Sequence, residues 1–176
     1  MERLVKIFLV CLAAVLVGNL LFKAVEYKLE ILKDQTVTKN KITLDLREKQ
    51  LDCLARNIYF EAGREPFEGK VAVAQVTINR SESGMFPSDI CKVVYQKNIF
   101  MEKVVCQFSW YCEGHTKVKP LHPEVYEECM AVAKKVLLEG FRLPSLTEAM
   151  YYHATYVSPG WKREKITKIG NHIFYK

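Results

Sequence analysis

The sequence predicts an α+β domain, mainly α, with a small antiparallel sheet towards its C-terminus and an N-terminal apolar helix in front. Three observations carry this. Glu48–Ala62 and Pro123–Glu139 repeat apolar residues at helical spacing, the short strand-like runs Met150–Tyr152 and Ile173–Tyr175 lie in the C-terminal part, and an uncharged stretch follows Arg3 and Lys6. Size and composition agree. A chain of 176 residues, 49% hydrophobic and 26% charged, makes one folded domain plus an appendage, and is not disordered, fibrous or low-complexity. With 26 basic against 20 acidic residues the net charge is +6. Such a balance suits a polyanion (nucleic acid, anionic lipid or cell-wall polymer) without choosing among them.

Ile7 to Phe22 is free of charge and is bounded by Lys6 and Lys23. A basic head and an apolar centre form the layout of an export signal. A small-x-small cleavage site is missing, because Leu16 and Phe22 occupy the −3 positions for cleavage after Gly18 and Ala24. The stretch is shorter than the roughly 20 residues a stable span needs. Residues 1–23 are therefore expected to be a signal or inner-membrane anchor, held through residues 7–22, with the rest exported to the periplasm or cell wall. Residues 24–45, polar and without Pro or Gly, read as a spacer. Residues 46–176 read as the compact domain.

Within that domain, Leu51, Leu54, Ala55, Ile58, Tyr59 and Ala62 form an amphipathic stripe, ended by Gly63 and Pro66. Gly69 to Arg80 is apolar on nearly every side, and its length and alanines favour a buried helix over a central strand. Pro123 opens and Gly140 closes a third helix. Met150–Tyr152 and Ile173–Tyr175 read as strands, with Gly170-Asn171 as a turn.

Outside the apolar segment lie Cys53, Cys91, Cys106, Cys112 and Cys129. Five allows two bridges at most and leaves one thiol free. Cys106 and Cys112 are the best local pair. No CxxC occurs and the histidines are scattered, so no metal site or cofactor is expected.

Glu61 borders the apolar stripe at the end of its helix, inside IYFEAG. A carboxyl beside aromatic and aliphatic groups favours its protonated form, which a general acid for glycosidic cleavage needs. Glu65 and Glu68 lie past the helix end and are expected to face solvent.

The run ARNIYFEAGREP (55–66), continued by EGKVAVAQVTINR (68–80), resembles the cell wall hydrolase family typified by SleB and CwlJ. So do FP (86–87), ICKVVYQ (90–96), CQFSW (106–110), AMYYH (149–153), Trp161 and IGNHIF (169–174). The family commonly reads Glu-Ala-Arg-Gly-Glu where this chain has Glu61-Ala62-Gly63-Arg64-Glu65. The resemblance implies a lysozyme-like domain and peptidoglycan glycan strands as substrate, with no nucleic acid. Glu61 is then the catalytic acid and base at the MurNAc–GlcNAc bond, as a lytic transglycosylase or a muramidase, in wall remodelling or as a phage endolysin. Gln107, Ser109, Trp110, Tyr152, His153 and Trp161 are candidates for binding sugar; Thr77, Asn79 and Arg80 for holding the Glu61 helix. Glu65, Glu68 and Asp89 are candidates for a second carboxylate. An N-acetylmuramoyl-L-alanine amidase and a non-catalytic wall-binding protein are the alternatives. A Cys106–His153 peptidase pair would be inactivated by the bridge.

Overall fold

A computed structural model describes residues 1–114 and 120–176. The chain divides into two units, Met1–Leu46 and Arg47–Lys176. The first is helical, as part of α1 (Glu2–Ala62), so the residues expected to be a spacer take helical form. Its apolar residues Leu9, Leu12, Val15, Leu16, Leu20, Leu21 and Phe22 are exposed. Among the described residues no helix is long and apolar enough to cross a membrane.

In the second unit, residues 47–62 of α1 present Leu51, Leu54, Ala55 and Ile58 to the core. Helix α2 (Phe67–Glu82) is buried along most of its length, as its lack of a polar face requires. Asp89 caps the short α3 (Ile90–Val94) by accepting from the Lys92 amide at 2.9 Å. An exposed hairpin, β1 (Lys97–Phe100) and β2 (Lys103–Cys106), leads to α4 (Ser109–Cys112). Helix α5 (Pro123–Leu137) packs on α2. The chain ends in a three-stranded antiparallel sheet, order β3-β5-β4, from β3 (Tyr151–Ala154), β4 (Lys165–Ile169) and β5 (His172–Tyr175).

Two bridges form. Cys106–Cys112 is the pair expected; Cys53–Cys91 ties α1 to α3 across 38 residues, and Cys129 stays a buried thiol. Two apolar clusters meet at α2. One gathers α1, α3, α5, Phe108 and Trp110, and the smaller sets Phe174 against Ala72, Val76 and Leu146, which seats the sheet. A network locks α1 to α2: the Trp110 indole donates to Asn57 at 3.0 Å, Asn57 to Thr77 at 3.2 Å, and Thr77 to the Val73 carbonyl at 3.1 Å. Thr77 thus holds the Glu61 helix as expected. Asn79 and Arg80 do something else. Asn79 donates to the carbonyls of Leu146 and Ala149, and Arg80 Nε to that of Met150 at 2.8 Å, so they fix the segment that enters β3.

Candidate functional site

Glu61 occupies the last turn of α1 and is partly buried. Tyr152 approaches from β3 and donates its hydroxyl to Glu61 Oε2 at 3.0 Å. Strand alternation decides which residues of β3 reach it. Tyr152 turns inward, against His172 and Phe174, whereas Tyr151 and His153 turn to the opposite face. Burial raises the proton affinity of the Glu61 carboxyl above the ordinary glutamate value; the Tyr152 bond and the charge of Arg80 oppose that, and the charge of Glu113 adds to it. Burial also holds the Tyr152 hydroxyl well above its usual range, so it stays a donor.

Arg80 is only 4% exposed, with its guanidinium over the rings of Phe86 and Phe108 at 5.4 and 5.2 Å. It places a fixed cation in the field of Glu61. A cleft of ≈ 650 Å³ opens beside Glu61, lined by Tyr59, Phe60, Arg64, Glu65 and His122 among others. Gly63 is needed at its floor, because a Cβ there would lie 2.5 Å from the Tyr59 carbonyl oxygen. The exchanged order Gly63-Arg64 therefore leaves Arg64 as an exposed residue on the cleft wall.

The candidates for a second carboxylate are engaged or remote. Glu65 is buried, against the expectation that it faces solvent. Its amide bonds the Ala62 carbonyl at 2.9 Å and Pro66 opens the next helix, so the chain turns sharply and sends the side chain inward. There the Asn171 amide donates to Oε2 at 3.1 Å and Asn171 Nδ2 to Oε1 at 3.0 Å. Glu65 is the clamp for the β4–β5 turn. Asp89 serves as the α3 cap, and Glu68 is exposed in the first turn of α2. Glu113, just past the Cys106–Cys112 bridge, was missed by sequence reasoning; its only signal was that bridge.

The remaining expected residues scatter. Gln107 is partly buried and Ser109 exposed at the start of α4. Trp110, expected to stack on sugar, is 4% exposed and stacks at 4.5 Å behind Phe60, because its N–H is taken up by buried Asn57. His153 has both ring nitrogens occupied: Nδ1 donates to the Ala154 carbonyl and Nε2 accepts from the Tyr175 hydroxyl, each at 2.8 Å. Trp161 is 43% exposed and packs edge-on to Tyr151, His153 and Tyr175, on the sheet face away from Glu61. Of the residues expected to bind sugar, Tyr152 is the one joined to Glu61.

The geometry has counterparts. The sequence profile of the cell wall hydrolase family matches residues 64–175 and begins just after Glu61. The spore cortex-lytic enzyme of Bacillus subtilis (strain 168) is 32% identical over 126 residues, 69% of this chain and 35% of the relative. That of Oceanobacillus iheyensis is 29% identical over 133 residues, 73% of this chain and 42% of the relative. The chain thus spans well under half the length of these relatives. Two solved structures share its fold. The catalytic domain of Bacillus cereus SleB is 28% identical with a TM-score of 0.54, over 73% of this chain and 91% of that one. The catalytic domain of the germination-specific lytic transglycosylase SleB from Bacillus anthracis is 27% identical with a TM-score of 0.55, over 72% and 93%. The profile match covers more than half of the chain, and with these relatives it establishes that the chain belongs to the cell wall hydrolase family.

Proposed function

We propose that this chain cleaves the MurNAc–GlcNAc bond of peptidoglycan as a lysozyme-like lytic transglycosylase, with Glu61 as general acid and then base. The observation that carries the reading is a partly buried carboxyl, raised in proton affinity by burial and held by Tyr152 at 3.0 Å, on the wall of a ≈ 650 Å³ cleft. With Tyr152 donating to Oε2, the proton resides on Oε1. Glu61 transfers it to the glycosidic oxygen as the bond breaks. The sugar's acetamido group stabilises the developing cation at C1. Glu61, now a carboxylate, takes the proton of the muramoyl 6-hydroxyl, whose oxygen closes on C1 to give the 1,6-anhydro product. Tyr152 and Arg80 stabilise the charged interval between the two transfers.

A retaining or inverting hydrolase needs a second carboxylate poised across the bond. Glu65 and Asp89 are engaged elsewhere, which leaves Glu113, whose charge reaches Glu61, as the carboxylate a hydrolase would have to use. The name of the Bacillus anthracis neighbour favours transglycosylation. The reading places the enzyme outside the cytoplasm, with residues 7–22 as its export or anchoring segment; the exposed Leu9, Leu12, Val15, Leu16, Leu20, Leu21 and Phe22 support this.

The test is mass spectrometry of purified peptidoglycan digested by the protein and by Glu61→Gln. Anhydromuramyl ends that disappear in the variant are the expected result. Reducing muramic ends would replace transglycosylation by hydrolysis. Free stem peptides, or unchanged product from Glu61→Gln, would overturn the reading.

A further inference from the structure

The sheet has a second aromatic face, opposite the one that carries Tyr152 to Glu61 and touched from beneath by Arg80 at Tyr151. Tyr151 and Tyr175 stand opposite each other across β3 and β5, with His153 one pleat further, and Trp161 covers all three with ring centroids 5.6–6.3 Å away. Arg163 lies flat over Tyr151 at 3.4 Å and reaches to within 5.9 Å of the Trp161 ring. A hydrophobic core would bury these groups. Instead Trp161 is 43% exposed, and Lys162, Arg163 and Lys165 beside it are exposed too. Nearby Glu164 is paired with Lys176, which leaves the patch cationic.

We propose that Trp161 and Arg163 form a non-catalytic glycan-holding site, the occupant being a peptidoglycan strand that runs over the outer sheet face. The proposal rests on the wall-cleaving reading for its substrate class but not on the role of Glu61. Three features choose this occupant. An open indole supplies the flat apolar surface on which the C–H face of a pyranose packs. The guanidinium, held in plane by Tyr151, matches the carboxylates of lactyl groups and stem peptides. The rings beneath are already fixed to one another by the His153–Tyr175 bond, so little order is lost on binding. Tyr152 faces Glu61 while Tyr151 faces Trp161, so the platform and the cleft lie on opposite faces of β3, with Arg80 beneath, 5.9 Å from the Tyr151 ring.

The two tryptophans allow a direct test, because Trp110 is buried and Trp161 is not. The full chain carrying Glu61→Gln, which leaves the glycan uncut, is titrated with soluble un-cross-linked glycan strands. The expected result is a blue shift and loss of iodide quenching of the Trp161 emission, absent in Trp161→Phe. Trp161→Ala and Arg163→Gln on the same background should each bind insoluble peptidoglycan roughly tenfold more weakly, with unchanged thermal unfolding. Unchanged quenching at saturating glycan, or undiminished wall binding by both variants, overturns the proposal. So does equal protection by polyglutamate, which would make the patch a general anion site. Loss of catalysis in Glu61→Gln bears only on the cleft.

Discussion

Tyr152→Phe isolates what the Tyr152 hydroxyl does for the acid. It removes one oxygen, 3.0 Å from Glu61 Oε2, and leaves a ring that still packs against Phe174. A hydrogen bond to a charged group contributes about 1.5–3 kcal/mol. The Tyr152 bond holds the Glu61 proton affinity down against burial, so its loss raises that affinity further. The sign follows from which form is active. Glu61 must start protonated, so the rate falls as pH rises through its pKa, and the variant's alkaline limb moves upward. The carboxylate left after proton transfer also loses its donor, which lowers the rate at the optimum by about tenfold. Initial rates of soluble fragment release from purified peptidoglycan, followed across acid, neutral and alkaline buffers, give both numbers. An alkaline limb that stays in place or moves down, in a variant with wild-type circular dichroism, would refute the assignment of Tyr152 as the group that tunes Glu61.

Other expectations follow from the same contacts. Because burial raises the Glu61 pKa, the folded chain binds more protons than the unfolded one between the ordinary and the raised value, and the stability present in acid is lost as pH rises through that window. Glu61→Gln should therefore melt with the wild type in acid and above it in neutral or alkaline buffer; a gap independent of pH would show that ionisation is not the cause. Replacing Cys53 and Cys91 by Ser should cost ~4 kcal/mol, the entropy of closing a 38-residue loop, read as a lower urea midpoint. Gly170→Ala meets both a left-handed backbone (φ +55°) and Glu65 Oε2 against the new Cβ, so a loss of about 2 kcal/mol or more is expected, and an unmoved midpoint would contradict the packing of the turn. Glu65→Gln should weaken folding yet leave the product type unchanged, because the residue clamps a turn; a switch in product chemistry would restore it as a nucleophile.

The helices were legible where a stripe of apolar residues met a stop signal. Gly63 with Pro66, and Pro123 with Gly140, bracket what the structure contains. The β1–β2 hairpin was not legible, because its two-residue turn is Met101-Glu102, both at positive φ, where Asn-Gly or Asp-Gly is the usual mark. Strand β4 was missed for a different reason. The register shifts between Lys165 and Thr167, so Ile166 and Ile169 pack on the core three apart and break the two-residue period. At the site, Glu61 was legible from its place beside an apolar stripe. Trp110, His153 and Trp161 were grouped with it because they are chemically suited to sugar, but pleat and core decided otherwise. No local pattern tells which side of β3 faces α1; that depends on Phe174 docking against Ala72 and Val76.

Glu61 and Glu65 show how one short segment sets two identical side chains to different tasks. Both leave the end of α1 and both line the cleft. Glu65 meets two N–H donors of Asn171, which fix its carboxyl in a structural place. Glu61 meets aromatic walls and a single hydroxyl, and burial dominates. The contacts that make this distinction span 91 residues for Tyr152 and 106 for Asn171. Glu65 clamps the β4–β5 turn, the turn places β5, and β5 carries β3 with Tyr152 on its inner face. The acid is therefore tuned only once the C-terminal sheet has docked, and the Glu65 clamp is what brings the Tyr152 hydroxyl to Glu61.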